Sequence, residues 1–159
     1  MIVTPAGRLA QRLALGVPAL LLGGAYLSQY GFGLHPCEMC WWQRYPHFAA
    51  LALALVSTVV EPKRLWVALA ALAILSSGAI GAFHAGVEYG WWQGVTGCTA
   101  APGAGTGDAL ENILAAPIIR CDVAPWSLFG VSLAGWNFIV STLGALAIGW
   151  LLLRDRRAA

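Results

Sequence analysis

The chain has 159 residues, of which 59% are hydrophobic and only 10% charged, with a net charge of +2 and four cysteines. This length leaves room for one domain and no second catalytic module, and the composition lies far outside that of soluble globular proteins. So small and scattered a charge argues against nucleic acid as a partner.

A bilayer crossing needs about 20 mostly apolar residues. Four segments meet that rule, roughly Leu9–Gln29, Trp41–Val60, Leu65–Val87 and Ser127–Leu153. The expected fold is an all-α membrane protein, a four-transmembrane-helix bundle forming one integral membrane domain over 1–159. Two extracytoplasmic loops are expected, at about 30–40 and 88–126. The first segment is too long for a signal peptide and is followed by no clear small-x-small cleavage site, so it reads as a retained span.

Seven of the nine Lys and Arg residues fall in three places: Arg8 and Arg12, Lys63 and Arg64, and Arg154, Arg156 and Arg157. The positive-inside rule puts both termini and the Glu61–Arg64 turn in the cytoplasm. Cys37 and Cys40 then lie in the first outer loop, and Cys98 and Cys121 in the second. All four face the side where disulfides form and persist.

The second span is the unusual one. Its uninterrupted, mostly apolar stretch runs only from Phe48 to Val60, which is about 20 Å of helix at 1.5 Å per residue. The hydrocarbon layer is about 30 Å thick. Trp41 to His47 must supply the missing turns, so Arg44 is expected near the bilayer boundary and Cys40 at or close to lipid depth. Arg44 also follows Cys40 by one helical turn, which would set the guanidinium beside the sulfur and favour its thiolate. An interfacial anchor is the plainer reading of the same arginine.

The short Glu61–Arg64 turn predicts an antiparallel hairpin of the second and third spans. Ser77 with Gly81, and Ala82 with Gly86, give the small-xxx-small spacing that lets helices approach closely in lipid. In the second loop a glycine-rich piece, APGAGTGD, precedes a capping box formed by Asp108 and Glu111. Leu110, Ile113, Leu114 and Ile118 then share one helical face. The helix they predict would lie along the membrane surface, either carrying Cys121 along the bilayer or covering the bundle. Trp41, Trp42, Trp91, Trp92 and Trp126 gather at the outer boundary as an aromatic belt. His35, His47 and Glu88 near that boundary read as solvated loop residues, with proton groups as the other reading, and Asn137 as a bond between helices.

The chemistry rests on the cysteines. A disulfide between residues three apart is a weak staple, because it removes little freedom from the unfolded chain. Such CxxC pairs are more often redox-active. Zinc is the main rival, but it would prefer a second close pair, and Cys98 and Cys121 are far apart in sequence. Covalent haem would want histidine after Cys40, where Trp41 stands. No metal is expected.

The stretches CEMCWWQRYPH, FHAGVEYGWWQGVTGC and CDVAPWSLFGVSLAGWNF resemble the bacterial disulfide bond formation protein B (DsbB) family, and the likeness covers essentially the whole chain. The resemblance implies a quinone-dependent thiol oxidase, a protein-disulfide:quinone oxidoreductase of the bacterial inner membrane. It would use ubiquinone or menaquinone to reoxidise a periplasmic, thioredoxin-fold, DsbA-like dithiol oxidase. Carried over by resemblance, Cys98 takes the mixed disulfide with the partner, and Cys121 is its pair and exchanges with Cys37. Cys40 contacts the quinone, with Arg44 beside it and His84 near it. The glycine-rich piece after Cys98 departs from some relatives and bears on partner docking. Two other classes stand beside this reading: a membrane scaffold with inert loop disulfides, and a small transporter or metal-handling protein. The second would want ionisable residues along the spans, which carry almost none. A protein similar to vitamin K epoxide reductase shares the redox logic but fits the motifs less well.

Overall fold

A computed structural model describes residues 4–96, 99–100 and 118–157. Its architecture is mostly helical. Helix α1 spans Pro5–Phe32, α2 Glu38–Val59, α3 Lys63–Glu88 and α4 Leu133–Arg157. Two short antiparallel ladders accompany them: β1 (Thr99–Ala100) with β2 (Ile118–Ile119), and β3 (Ser127–Leu128) with β4 (Val131–Ser132). Cys98 and the capping box at Asp108 lie outside the described residues. So does the expected surface helix, except Ile118, which here belongs to β2.

The helix ends follow local rules. Thr4 caps α1 by accepting from the Gly7 amide, and Pro5 occupies the first turn, where a missing N–H costs nothing. Gly33 closes α1 at φ 67°, a left-handed position open to glycine. Cys37 caps α2, its sulfur accepting from the Cys40 amide at 3.3 Å. Three helices, α1, α3 and α4, are long and apolar enough to cross a membrane. The exception is α2, whose outer half carries Gln43, Arg44, Pro46 and His47. The segment drawn from Ser127 as one span begins instead with a hairpin. Its two tip residues, Phe129 at φ 53° and Gly130 at φ 76°, make the doubly left-handed turn that suits a two-residue connection.

Contacts run around a ring. α2 packs on α3, α3 on α4, and α1 closes the ring against both α4 and α2. The core is a small-residue seam, with Ala10, Ala14, Ala50, Ala54, Ala70 and Ile74 buried. Close approach of α3 to α4 depends on Gly81. A Cβ there would stand 3.0 Å from the Ala134 carbonyl and 3.1 Å from the Phe138 amide. The second small pair works differently, because Gly86 makes room for the ring of Trp92. At the opposite end Asp155 ties three helices, accepting from Thr4 and facing Arg64 at 3.5 Å. The ends of α1 and α3 meet the starts of α2 and α4 at one pole, and the thiols collect there.

Candidate active site

The short connection from Gly33 to Cys37 and the first turn of α2 present two thiols side by side. Cys37 Sγ lies 3.0 Å from Cys40 Sγ and 3.6 Å from His84 Nε2 on α3. Cys121 arrives from the loop after β2, where the Thr96 hydroxyl donates to its sulfur at 3.2 Å. Cys37 Sγ, His84 Nε2 and Cys121 Sγ all lie within 4.8 Å of one another. Three such donors could ligate a soft cation. The same closeness is what exchange between Cys37 and Cys121 requires.

Electrostatics separate these thiols. The Cys37 thiol is pushed up to about 12, first because it donates to Cys40 and then because it is buried. Burial also raises Cys121, with the Thr96 hydroxyl opposing.

Two cavities meet at Cys40. One, of about 300 Å³, is the thiol pocket, which Cys37, Cys40, His84, Glu88 and Arg120 help to line. The other, of about 240 Å³, lies among α1, α2 and α4. Leucines of α1 and Trp136 form its apolar walls, and Cys40, Gln43, Arg44, His47 and Asn137 supply its polar points. Cys40 lines both.

Arg44 is buried, but its guanidinium does not turn to the sulfur. It donates to Gln29 Oε1 at 2.7 Å and to the Ala25 carbonyl at 3.2 Å, lying over the rings of Tyr26 and Trp41. The long arginine stem lets α1, rather than residue spacing along α2, decide where the charge sits. His84 lines the thiol pocket. Its Nδ1 meets Gln43 Nε2 at 2.8 Å and its Nε2 meets the Cys121 carbonyl at 3.2 Å.

Two groups expected to be solvated are not. His47 is 3% exposed and bonds Asn137, and the Glu88 side chain is 2% exposed with Oε1 3.8 Å from His84 Nε2. His47 projects from α2 toward Asn137 on α4, and Glu88 turns to His84 one turn before it on α3, beside the thiol pocket. His35 is exposed as expected. Asn137 joins the helices as expected, contacting Gln43, Ser77 and His47. Gln43 was not singled out from the sequence. Its position one turn before His47, on the same face of α2, is the signal that could have found it.

A helical membrane protein with a thiol cluster at one pole, beside an apolar cavity, is the class that this fold and site define. The family profile described as "Disulfide bond formation protein DsbB" matches residues 7–151. A "Disulfide bond formation protein B" of Verminephrobacter eiseniae (strain EF01-2) is 33% identical, over 96% of this chain and 89% of the relative. One of Acidovorax sp. (strain JS42) is 31% identical, over 96% and 90%. A third, of Paracidovorax citrulli (strain AAC00-1), is 32% identical, over 89% and 83%. No solved structure matches the chain. The chain belongs to the DsbB family, and with it to the disulfide-forming oxidoreductases of membranes. A scaffold with inert disulfides is not favoured.

Proposed function

We propose that this protein is a quinone-dependent thiol oxidase of the bacterial inner membrane that reoxidises a periplasmic DsbA-like dithiol oxidase. The observation that carries the reading is the double exposure of Cys40, on one side to the thiol pocket and on the other to the apolar cavity. A quinone fits that cavity. Its leucine walls suit an apolar ring, and Arg44 on the wall carries donors that suit a carbonyl oxygen. When bound, a quinone supplies a two-electron, two-proton acceptor.

The chain's own residues then act as follows. The partner's thiolate attacks Cys98 and opens a Cys98–Cys121 disulfide, freeing Cys121 as thiolate. Cys121 attacks Cys37, the Cys37–Cys40 bond breaks, and Cys40 leaves as the thiolate at the cavity wall. His84 holds a proton at Nε2 beside Cys37 and fixes the Cys121 carbonyl. Pairing of Thr99 with Ile119 supports this relay by tethering the chain next to Cys98 to the chain leading to Cys121. Arg44 places positive charge on the cavity wall.

On this reading α2 is the fourth span, anchored by Arg44 at the outer boundary. Both termini are cytoplasmic and the cysteine loops periplasmic, a reading that the Lys and Arg distribution supports. The test is anaerobic mixing of purified protein with a reduced thioredoxin-fold partner and ubiquinone-1, following quinone absorbance. Quinone loss should require both partner and cysteines, and Cys40→Ser should stop it while leaving the partner able to bind. Sustained turnover by Cys40→Ser would overturn the assignment, as would inert ubiquinone and menaquinone with the unsubstituted protein.

A further inference from the structure

The polar side chains between the helices form one continuous run of hydrogen bonds, and backbone carbonyls fix its direction. Gln43 Nε2 donates to the Met39 carbonyl at 3.1 Å, so the amide nitrogen is the atom that meets His84 Nδ1 at 2.8 Å. His84 Nδ1 therefore accepts, and its ring proton sits on Nε2, facing the Cys121 carbonyl at 3.2 Å. On the other side, Asn137 Nδ2 donates to the Ser77 carbonyl at 3.2 Å and to Gln43 Oε1 at 2.8 Å. Its Oδ1 is then the atom 2.9 Å from His47 Nε2, and it also accepts from the Ser141 hydroxyl at 3.0 Å. An acceptor in that place puts the His47 proton on Nε2.

What remains is His47 Nδ1. In the neutral ring it carries a lone pair and can only accept. It is buried without a partner among the described residues, in a side chain that forms part of the cavity wall. A buried acceptor left unpaired is costly, and a ligand hydroxyl would satisfy it. A quinone carbonyl has no proton to offer a lone pair, whereas a quinol hydroxyl has one. Arg44 on the same wall offers only donors, which suit a carbonyl or hydroxyl oxygen alike.

We propose that His47 Nδ1 accepts a hydrogen bond from a hydroxyl of the bound ligand, so that the cavity holds quinol in preference to quinone. The inference rests on the quinone-linked reading and adds to it which redox form the site favours. A site that binds the reduced form more tightly draws electrons toward it. One net hydrogen bond corresponds to roughly tenfold tighter binding, and tenfold raises a two-electron potential by about 30 mV.

The test uses full-length protein in nanodiscs carrying Cys40→Ser, which prevents exchange of electrons with the ligand. Ubiquinone-1, ubiquinol-1 and the dimethyl ether of that quinol are titrated anaerobically against tryptophan fluorescence. Quinol should bind roughly tenfold tighter than quinone, and the ether should lose that advantage. His47→Phe should bring quinol to the quinone value. If that variant misfolds, two measurements that leave His47 in place decide. These are the ether comparison and the ¹⁵N shift of His47 Nδ1, which should move with quinol and not with quinone. Equal binding of quinone and quinol, or a preference that survives His47→Phe, overturns the inference while the oxidase reading stands. No binding of either form overturns both.

Discussion

Replacing Asn137 by leucine removes a residue that bonds α4 to both α2 and α3. Asn137 gives donors to Gln43 Oε1 at 2.8 Å and to the Ser77 carbonyl at 3.2 Å, and an acceptor to His47 Nε2 at 2.9 Å. Leucine returns little through burial, since lipid tails are as apolar as the side chain itself. Three interhelical contacts at about 0.6 kcal/mol each give a loss of about 2 kcal/mol. Orphaned polar groups that water cannot reach push the figure upward. For a chain of this size that is a fall of about 4–8 °C in Tm. Thermal unfolding in detergent, followed by tryptophan fluorescence, measures it, with Leu143→Ala on the exposed face of α4 as the control. A fall under about 1 °C, or one no larger than the control's, would refute the view that this network holds the helices together.

Two further outcomes follow from the geometry. The thiol of Cys37, held at about 12 against an ordinary 9.0, should carry roughly a thousandfold less thiolate at pH 8 than an ordinary cysteine. In the reduced protein it should therefore be alkylated last, speeding up as pH rises, and Cys40→Ala should accelerate it by removing the leading cause. Mass spectrometry of pulse-labelled protein checks this, and free-thiol rates at Cys37 would contradict it. At the other pole Asp155, 1% exposed, holds Thr4 and faces Arg64. Asp155→Ala should cost about 1–3 kcal/mol and open the start of α1 to protease, and an unchanged digestion pattern would deny the clasp.

Hydrophobic length made the helices legible, and Asn137 stood out because an amide inside an apolar span must bond to another helix. The exchange partners were suggested only by resemblance, and the clustering of Cys37, Cys121 and His84 depends on how the loop after β2 folds back. His47 and Glu88 were misplaced for a common reason. Near a span's end, sequence gives depth in the bilayer but not the direction in which a side chain points. Arg44 shows the same limit differently, since spacing along α2 put it beside Cys40 while acceptors on α1 took its guanidinium. The hairpin Ser127–Ser132 was hidden because its residues are as apolar as the helix that follows. Only the left-handed pair Phe129 and Gly130 sets it apart, and phenylalanine is a poor advertisement for such a turn.

On the proposed relay, Cys37 starts a helix and also exchanges with the neighbouring thiols. Oxygen-bearing side chains are the better residues for that first role, with serine among the favoured caps and no larger than cysteine. Holding sulfur there leaves α2 with a weaker start than its backbone would accept. It also means that the atom organising the first turn changes its bonding whenever electrons pass. The winding of α2 and the oxidation state of the protein thus share one atom, and a helix end becomes a moving part of the redox cycle.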